Sequence, residues 1–173
     1  MALFLVCHGQ RVWRAKKGEA MQAVRHDNSA QSIRFKDRRL TQRIQKTWKK
    51  TASGFLPSWC DIQSLDLGED WENCFAVDLR LSDGFPYFIF LGDALCHLSN
   101  LYLSGESRWE MSLLDIATGK MDESALNRAP ISYGDALRLQ DGRRVLFRSV
   151  LLPLADNGVD VTHVFGAING KGA

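Results

Sequence analysis

Apolar positions change rhythm along this chain, and each change marks an element. Within 33–50, Leu40, Ile44 and Trp48 recur at every fourth position of a basic segment. That spacing puts them on one narrow helical face, and Ser53-Gly54 ends the helix. The period is lost over 55–74, where Pro57 and several turn formers read as a connector. "CFAVDLRL" (74–81) and "FPYFIFL" (85–91) are apolar runs split by Ser-Asp-Gly, the signature of a β-hairpin. Pro86 falls at a strand start, where a missing N–H is tolerated.

Leu91, Leu95, Leu98 and Tyr102 then return to helical spacing, predicting a helix over 92–106 closed by Gly105. Two shorter helical pieces are expected at 109–119 and 122–129, the second capped by Asp122 and stopped by Pro130. Three strands finish the chain, 131–139, 143–154 and 159–168, separated by "QDG" and "ADNG". Asn157-Gly158 tolerates positive φ, so the last hairpin turns there. Pro153 lies near that turn, at a strand end or bulge. Two strands, a helical crossover and three strands predict an α+β fold: one five-stranded antiparallel sheet with the helices on one face.

Three stretches of 55–170 carry a resemblance: "LPSWCDI" (56–62), "FPYFIFLGDAL" (85–95) and "GRRVLFRSVLLPLADNGVDVTHVFGAI" (142–168). Together they resemble a bacterial single-domain PAS family best known from alphaproteobacteria. The resemblance covers about two thirds of the chain and implies a PAS-like sensory or regulatory module. It divides the sequence into a variable arm (1–32), a basic amphipathic helix (33–54) and a PAS-like domain (55–173).

Charge adds one feature to this picture. Residues 1–50 hold thirteen Lys/Arg against three acids, and residues 51–173 hold nine against seventeen. A basic arm therefore precedes an acidic domain. It reads as a solvated helix resting partly on its own domain, or as an arm for nucleic acid, anionic lipid or an acidic partner. Because the arm interleaves charge with an apolar stripe, and because the domain repels polyanions, only weak, non-specific nucleic-acid binding is expected. The opening "ALFLVC" is too short for a signal-peptide core, and no run reaches the length of a membrane span. The four cysteines have no C-x-x-C spacing, which reads as reduced thiols in the cytoplasm and as no metal site.

Catalytic patterns are missing. There is no H-E-x-x-H, G-x-S-x-G or G-x-G-x-x-G, and "ATGKM" (117–121) lacks the first glycine and the Ser/Thr of a phosphate loop. The chain therefore reads as a non-enzyme. Cys96-His97 is the most suggestive pair, but adjacent helical residues diverge by about 100°. A haem held by His97 is the minor alternative to no cofactor. Cys74 and His163 read as core or groove residues. Phe75, Tyr87, Phe90, Leu95, His97, Tyr102, Trp109, Phe147 and Phe165 are the candidates to line a small apolar ligand cavity, and the same residues suit a filled core. Leu40, Ile44 and Trp48 form the surface that packs on the parent domain or pairs with its copy in a homodimer. With no output domain in the sequence, a signal is expected to pass to a separate protein. A nucleic-acid-associated regulator is the alternative.

Overall fold

The computed structural model describes residues 39–104 and 111–172, with a short antiparallel pair, Val6–Cys7 and Gln10–Arg11, ahead of them. The main sheet has five antiparallel strands: β1 (Cys74–Asp78), β2 (Phe88–Leu91), β3 (Ile131–Arg138), β4 (Arg144–Leu154) and β5 (His163–Gly172). Their order is β2-β1-β5-β4-β3. The α+β class and the open antiparallel sheet agree with the sequence. Trp109 and the arm 1–32 lie outside the described residues, apart from the backbone of the short pair.

The last hairpin forms with a wider turn than "ADNG". Asn157 Oδ1 accepts from the N–H groups of Val159 (2.9 Å) and Asp160 (2.8 Å), and Gly158 takes φ +70°. These local bonds hold the chain in a loop, so β5 starts at His163 and not at Val159. Pro153 is paired with Val164, two residues beyond the last β4 residue that β3 reaches. Its carbonyl turns outward and accepts from Trp48 Nε1 (3.2 Å). The N and O of one strand residue point to the same side. The missing N–H of Pro153 therefore faces an edge where no ladder bond is lost.

One sheet face is covered by the crossover. Leu95, Leu98, Leu113, Leu114 and Ala117 pack on Phe75, Val77, Val145, Phe147, Leu151 and Ile168. Over the described part of the helix expected at 92–106, two short 3-10 turns form instead, Asp93–Leu95 and Leu98–Asn100, and Gly105 lies outside the described residues. Ser and Asn compete for backbone bonds there; Ser99 Oγ donates to Cys96 O (2.9 Å). Leu95 and Leu98 are still buried as the spacing required. Among the later pieces, Leu113–Thr118 is started by a capping box in which Ser112 and Asp115 satisfy each other's N–H groups. In Met121–Asn127 the N-cap position falls on Lys120, which makes no side-chain cap bond, and Asp122 lies in the first turn instead of at the cap. On β5, Gly166 lies beneath the Phe75 ring, and a Cβ there would stand 2.2 Å from Phe75 Cζ.

The opposite face is not bare, which corrects the one-sided expectation. Helix α1 (Leu40–Thr51) lies across β4 and β5, and α2 (Trp59–Gln63) follows it. Leu40, Ile44 and Trp48 are buried at 0, 2 and 7% exposure against Val150, Leu152, Leu154 and Phe165. Of the two surfaces open to this stripe, the chain's own sheet takes it. A helix this short is marginal alone, so docking is what holds α1 together.

Candidate functional site

Side chains at alternate positions of β5 share the α1 face: His163, Phe165, Ala167, Asn169 and Lys171. Along this strand the face changes character twice, from a charged cluster through an aromatic core to an open cleft.

The cluster forms where Asp78 of β1 pairs with His163 of β5. Both side chains are buried. Arg80 donates from Nε to Asp78 Oδ1 (3.0 Å) and from Nη2 to Oδ2 (2.8 Å), and it reaches Asp156 Oδ2 with Nη1 (3.2 Å). Its Nη2 also lies 3.1 Å from His163 Nε2. A guanidinium only donates, so Nε2 accepts and the ring proton sits on Nδ1. That N–H is aimed at Thr162 Oγ1 (2.9 Å). Burial lowers the His163 pKa, the Asp78 and Asp156 carboxylates oppose this, and the Arg80 charge adds to it, leaving the pKa below its usual 6.5. Burial opposes ionisation of Asp78, yet the hydrogen bonds from Arg80 and the charges of His163 and Arg80 hold its carboxyl below the usual carboxylate range. The cluster ties β1, β5 and two loops together. Among the described residues, no group of three or more His, Cys, Asp or Glu side chains is placed to hold a metal ion.

The middle of the face is aromatic. Trp71 stacks edge-on to Phe90 (5.2 Å between centroids), and Trp59 lies 6.2 Å from Phe165. The capping box of Ser58 and Asp61 starts α2 and so positions Trp59. Composition pointed to Phe90 and Phe165; Trp59 and Trp71 were hidden in the connector.

At the far end, α1 stops short of covering the sheet. A cleft of about 1060 Å³ opens there between α1 and strands β3, β4 and β5. Thr41, Gln42 and Gln45 form its helical wall, and Ser132, Leu146, Arg148, Asn169 and Lys171 come from the strands. Gly134 leaves the floor bare by necessity, since a Cβ would stand 2.3 Å from the Phe147 carbonyl oxygen. Tyr133 and Ser149 turn their hydroxyls through to the other face, where both donate to Ala117 O. Burial, partly offset by hydrogen bonds, pushes the Tyr133 pKa up to about 12.

Among the described residues, those predicted to line one cavity do not all meet. Phe75, Leu95 and Phe147 are buried on the crossover face, and Phe90 and Phe165 on the α1 face. Tyr87 is half-buried in the loop before β2, and Tyr102 is exposed. His97 is exposed beside a half-buried Cys96, outside both cores. Cys74 is a core residue whose thiol donates to Asp70 O (3.2 Å); burial, then the Asp70 charge, pushes its pKa up. Arg43 of α1 donates to both carboxylate oxygens of Asp70, from Nη2 to Oδ1 (2.7 Å) and from Nε to Oδ2 (3.0 Å). No helix among the described residues is long and apolar enough to cross a membrane. The chain matches no protein-family model and no curated protein.

Proposed function

We propose that the chain is a PAS-like regulatory module that acts by holding a partner protein against the α1 face of its sheet. The single observation that carries this reading is the open cleft beside α1, a concave surface of about 1060 Å³ with charged and polar walls. The order of two strands, a helical crossover and three strands supports the resemblance to the single-domain PAS family. An enclosed apolar ligand is disfavoured because the aromatic candidates divide between two faces. A haem on His97 has the same difficulty, since that side chain is exposed. The reading takes no catalytic residue and no cofactor, and it passes the signal to a separate cytoplasmic protein by contact. Dimerisation, if the module uses it, needs a surface other than Leu40, Ile44 and Trp48, which are already buried.

Native mass spectrometry of the purified full chain tests this reading. The polypeptide mass, or twice that mass, fits a module that works through surface contacts. A retained haem, flavin or other small molecule at stoichiometric level overturns it.

A further inference from the structure

The strand wall of the cleft, with Leu146, Arg148 and Lys171, continues along the same sheet face as a cationic surface. Strand alternation brings Arg144, Leu146 and Arg148 of β4 to this side, each exposed, while Val145, Phe147 and Ser149 are buried on the other. Register sets Arg138 of β3 opposite Arg144, and Lys171 of β5 opposite Leu146. Four cations therefore surround one apolar side chain, which is 43% exposed. Among the described residues none of these four cations has an ion pair. The strand side chains sharing this part of the face, Ser132, Ala136 and Asn169, bring no negative charge. Arg138 and Arg144 stand directly across from one another, an arrangement that destabilises a sheet when left uncompensated.

We infer that this face binds an extended acidic segment of the partner protein, with the pattern acid–x–apolar–x–acid. The inference rests on the regulatory reading above and names the chemistry of the partner. Arg144 and Arg148 are four residues apart on one strand, about 13 Å at the usual rise. Two carboxylates four residues apart on an extended segment have the same spacing. The residue midway between them falls over Leu146, and Lys171 flanks that position. The segment lies on the face and does not add to the edge of β3. Asp135 Oδ1 already accepts from the Ala136 N–H (2.7 Å) on that strand, and an edge carboxylate repels an acidic chain. The chain's own residues 1–38 do not suit this face, with eight Lys/Arg against three acids. Nucleic acid fits less well, because no aromatic side chain on this part of the face offers a stacking platform.

The test uses the full chain and a fluorescein-labelled peptide of three Glu-Ser-Leu-Ser repeats, followed by anisotropy. Binding is expected to weaken as salt rises toward about 0.15 M. Charge reversal in the double variant Arg144→Glu/Arg148→Glu should lower affinity tenfold or more, and Leu146→Ser at least threefold. Melting temperatures are expected to stay near that of the parent. Should the double variant melt early, Arg148→Gln and Lys171→Gln, taken singly, provide the same comparison. Unchanged affinity in these variants overturns the inference. So does duplex DNA that binds more tightly than the peptide and is lost in the same variants. A homodimer that dissociates in the double variant also overturns it, by giving the face to a second copy. Failure of the peptide beside a mass spectrum free of any retained small molecule defeats this inference alone, whereas a retained cofactor defeats the regulatory reading.

Discussion

Replacing Trp48 by Phe tests how α1 is fastened to the sheet. The indole is 7% exposed, and its N–H donates to the carbonyl of Pro153 at 3.2 Å. Phenylalanine keeps most of the ring but removes the donor and about one methylene's worth of apolar contact, about 0.8 kcal/mol. A buried carbonyl left without its partner costs about 1–3 kcal/mol. The sum is a loss of about 2–4 kcal/mol for Trp48→Phe, against about 3–5 kcal/mol for Trp48→Ala, which also opens a cavity. At the urea dependence usual for small proteins, about 2 kcal/mol per molar, the first loss moves the unfolding midpoint down by about 1–2 M. Urea titration followed by far-ultraviolet circular dichroism measures it, since removing a tryptophan alters fluorescence directly. A Trp48→Phe midpoint equal to that of the parent, at equal slope, refutes the role given to the indole N–H. A Trp48→Ala protein that unfolds like the parent but loses a concentration-dependent dimer in sedimentation refutes the docking itself.

The Asp78–Arg80–His163 cluster should make stability depend on acid. The lowered folded pKa of His163 means that its contribution is complete above pH 6.5 and is lost as pH falls through the folded value. The Asp78 contribution is complete above its ordinary 3.8 and is lost only below that. Urea midpoints measured downward from pH 7 should fall in the parent, and the first part of that fall should vanish in His163→Gln; an unaltered profile refutes the coupling. Gly166→Ala should cost about 2–3 kcal/mol by driving a methyl into the Phe75 ring, and Phe75→Leu in the same chain should recover part of the loss; an unchanged melting temperature for Gly166→Ala contradicts the packing. Iodoacetamide should label exposed Cys60 in the native protein and reach buried Cys74 only after unfolding, as peptide mapping reads directly; native labelling of Cys74 contradicts its burial.

The sheet and its last hairpin were legible because strand runs and turn residues are local signals. The run 143–154 read as a strand, and Asn157-Gly158 as a turn, without any knowledge of partners. The face of each residue was harder to read. "RRVLFRSVL" alternates charge with apolar residues, and that alternation already separates Arg144, Leu146 and Arg148 from Val145 and Phe147. Taken as one apolar run, the segment concealed the cationic surface. The candidate cavity residues divide between the two faces for the same reason, since aromatic character alone assigns no face. His163 read as a core or groove residue, but its partners Asp78 and Arg80 come from 83 or more residues earlier in the chain, through the pairing of β1 with β5. No local pattern announces such a pairing. The broken helix at 92–106 is the opposite case: leucine spacing was right about burial, and the bonding of a short polar side chain within the segment decided the backbone.

Among the described residues, β5 is the only strand that touches both halves of the sheet, β1 on one side and β4 on the other. During synthesis, the hairpin of β1 with β2 and the hairpin of β3 with β4 leave the ribosome first, with no ladder between them. Docking of α1 also waits, because half of its seat is β5. The apolar side chains destined for both cores therefore stay unassembled until His163–Gly172 emerges. Late closure through long-range pairing slows folding and prolongs exposure to aggregation. A nascent chain arrested before residue 163 should accordingly remain protease-sensitive throughout, and one arrested with that segment clear of the exit tunnel should become resistant in a single step.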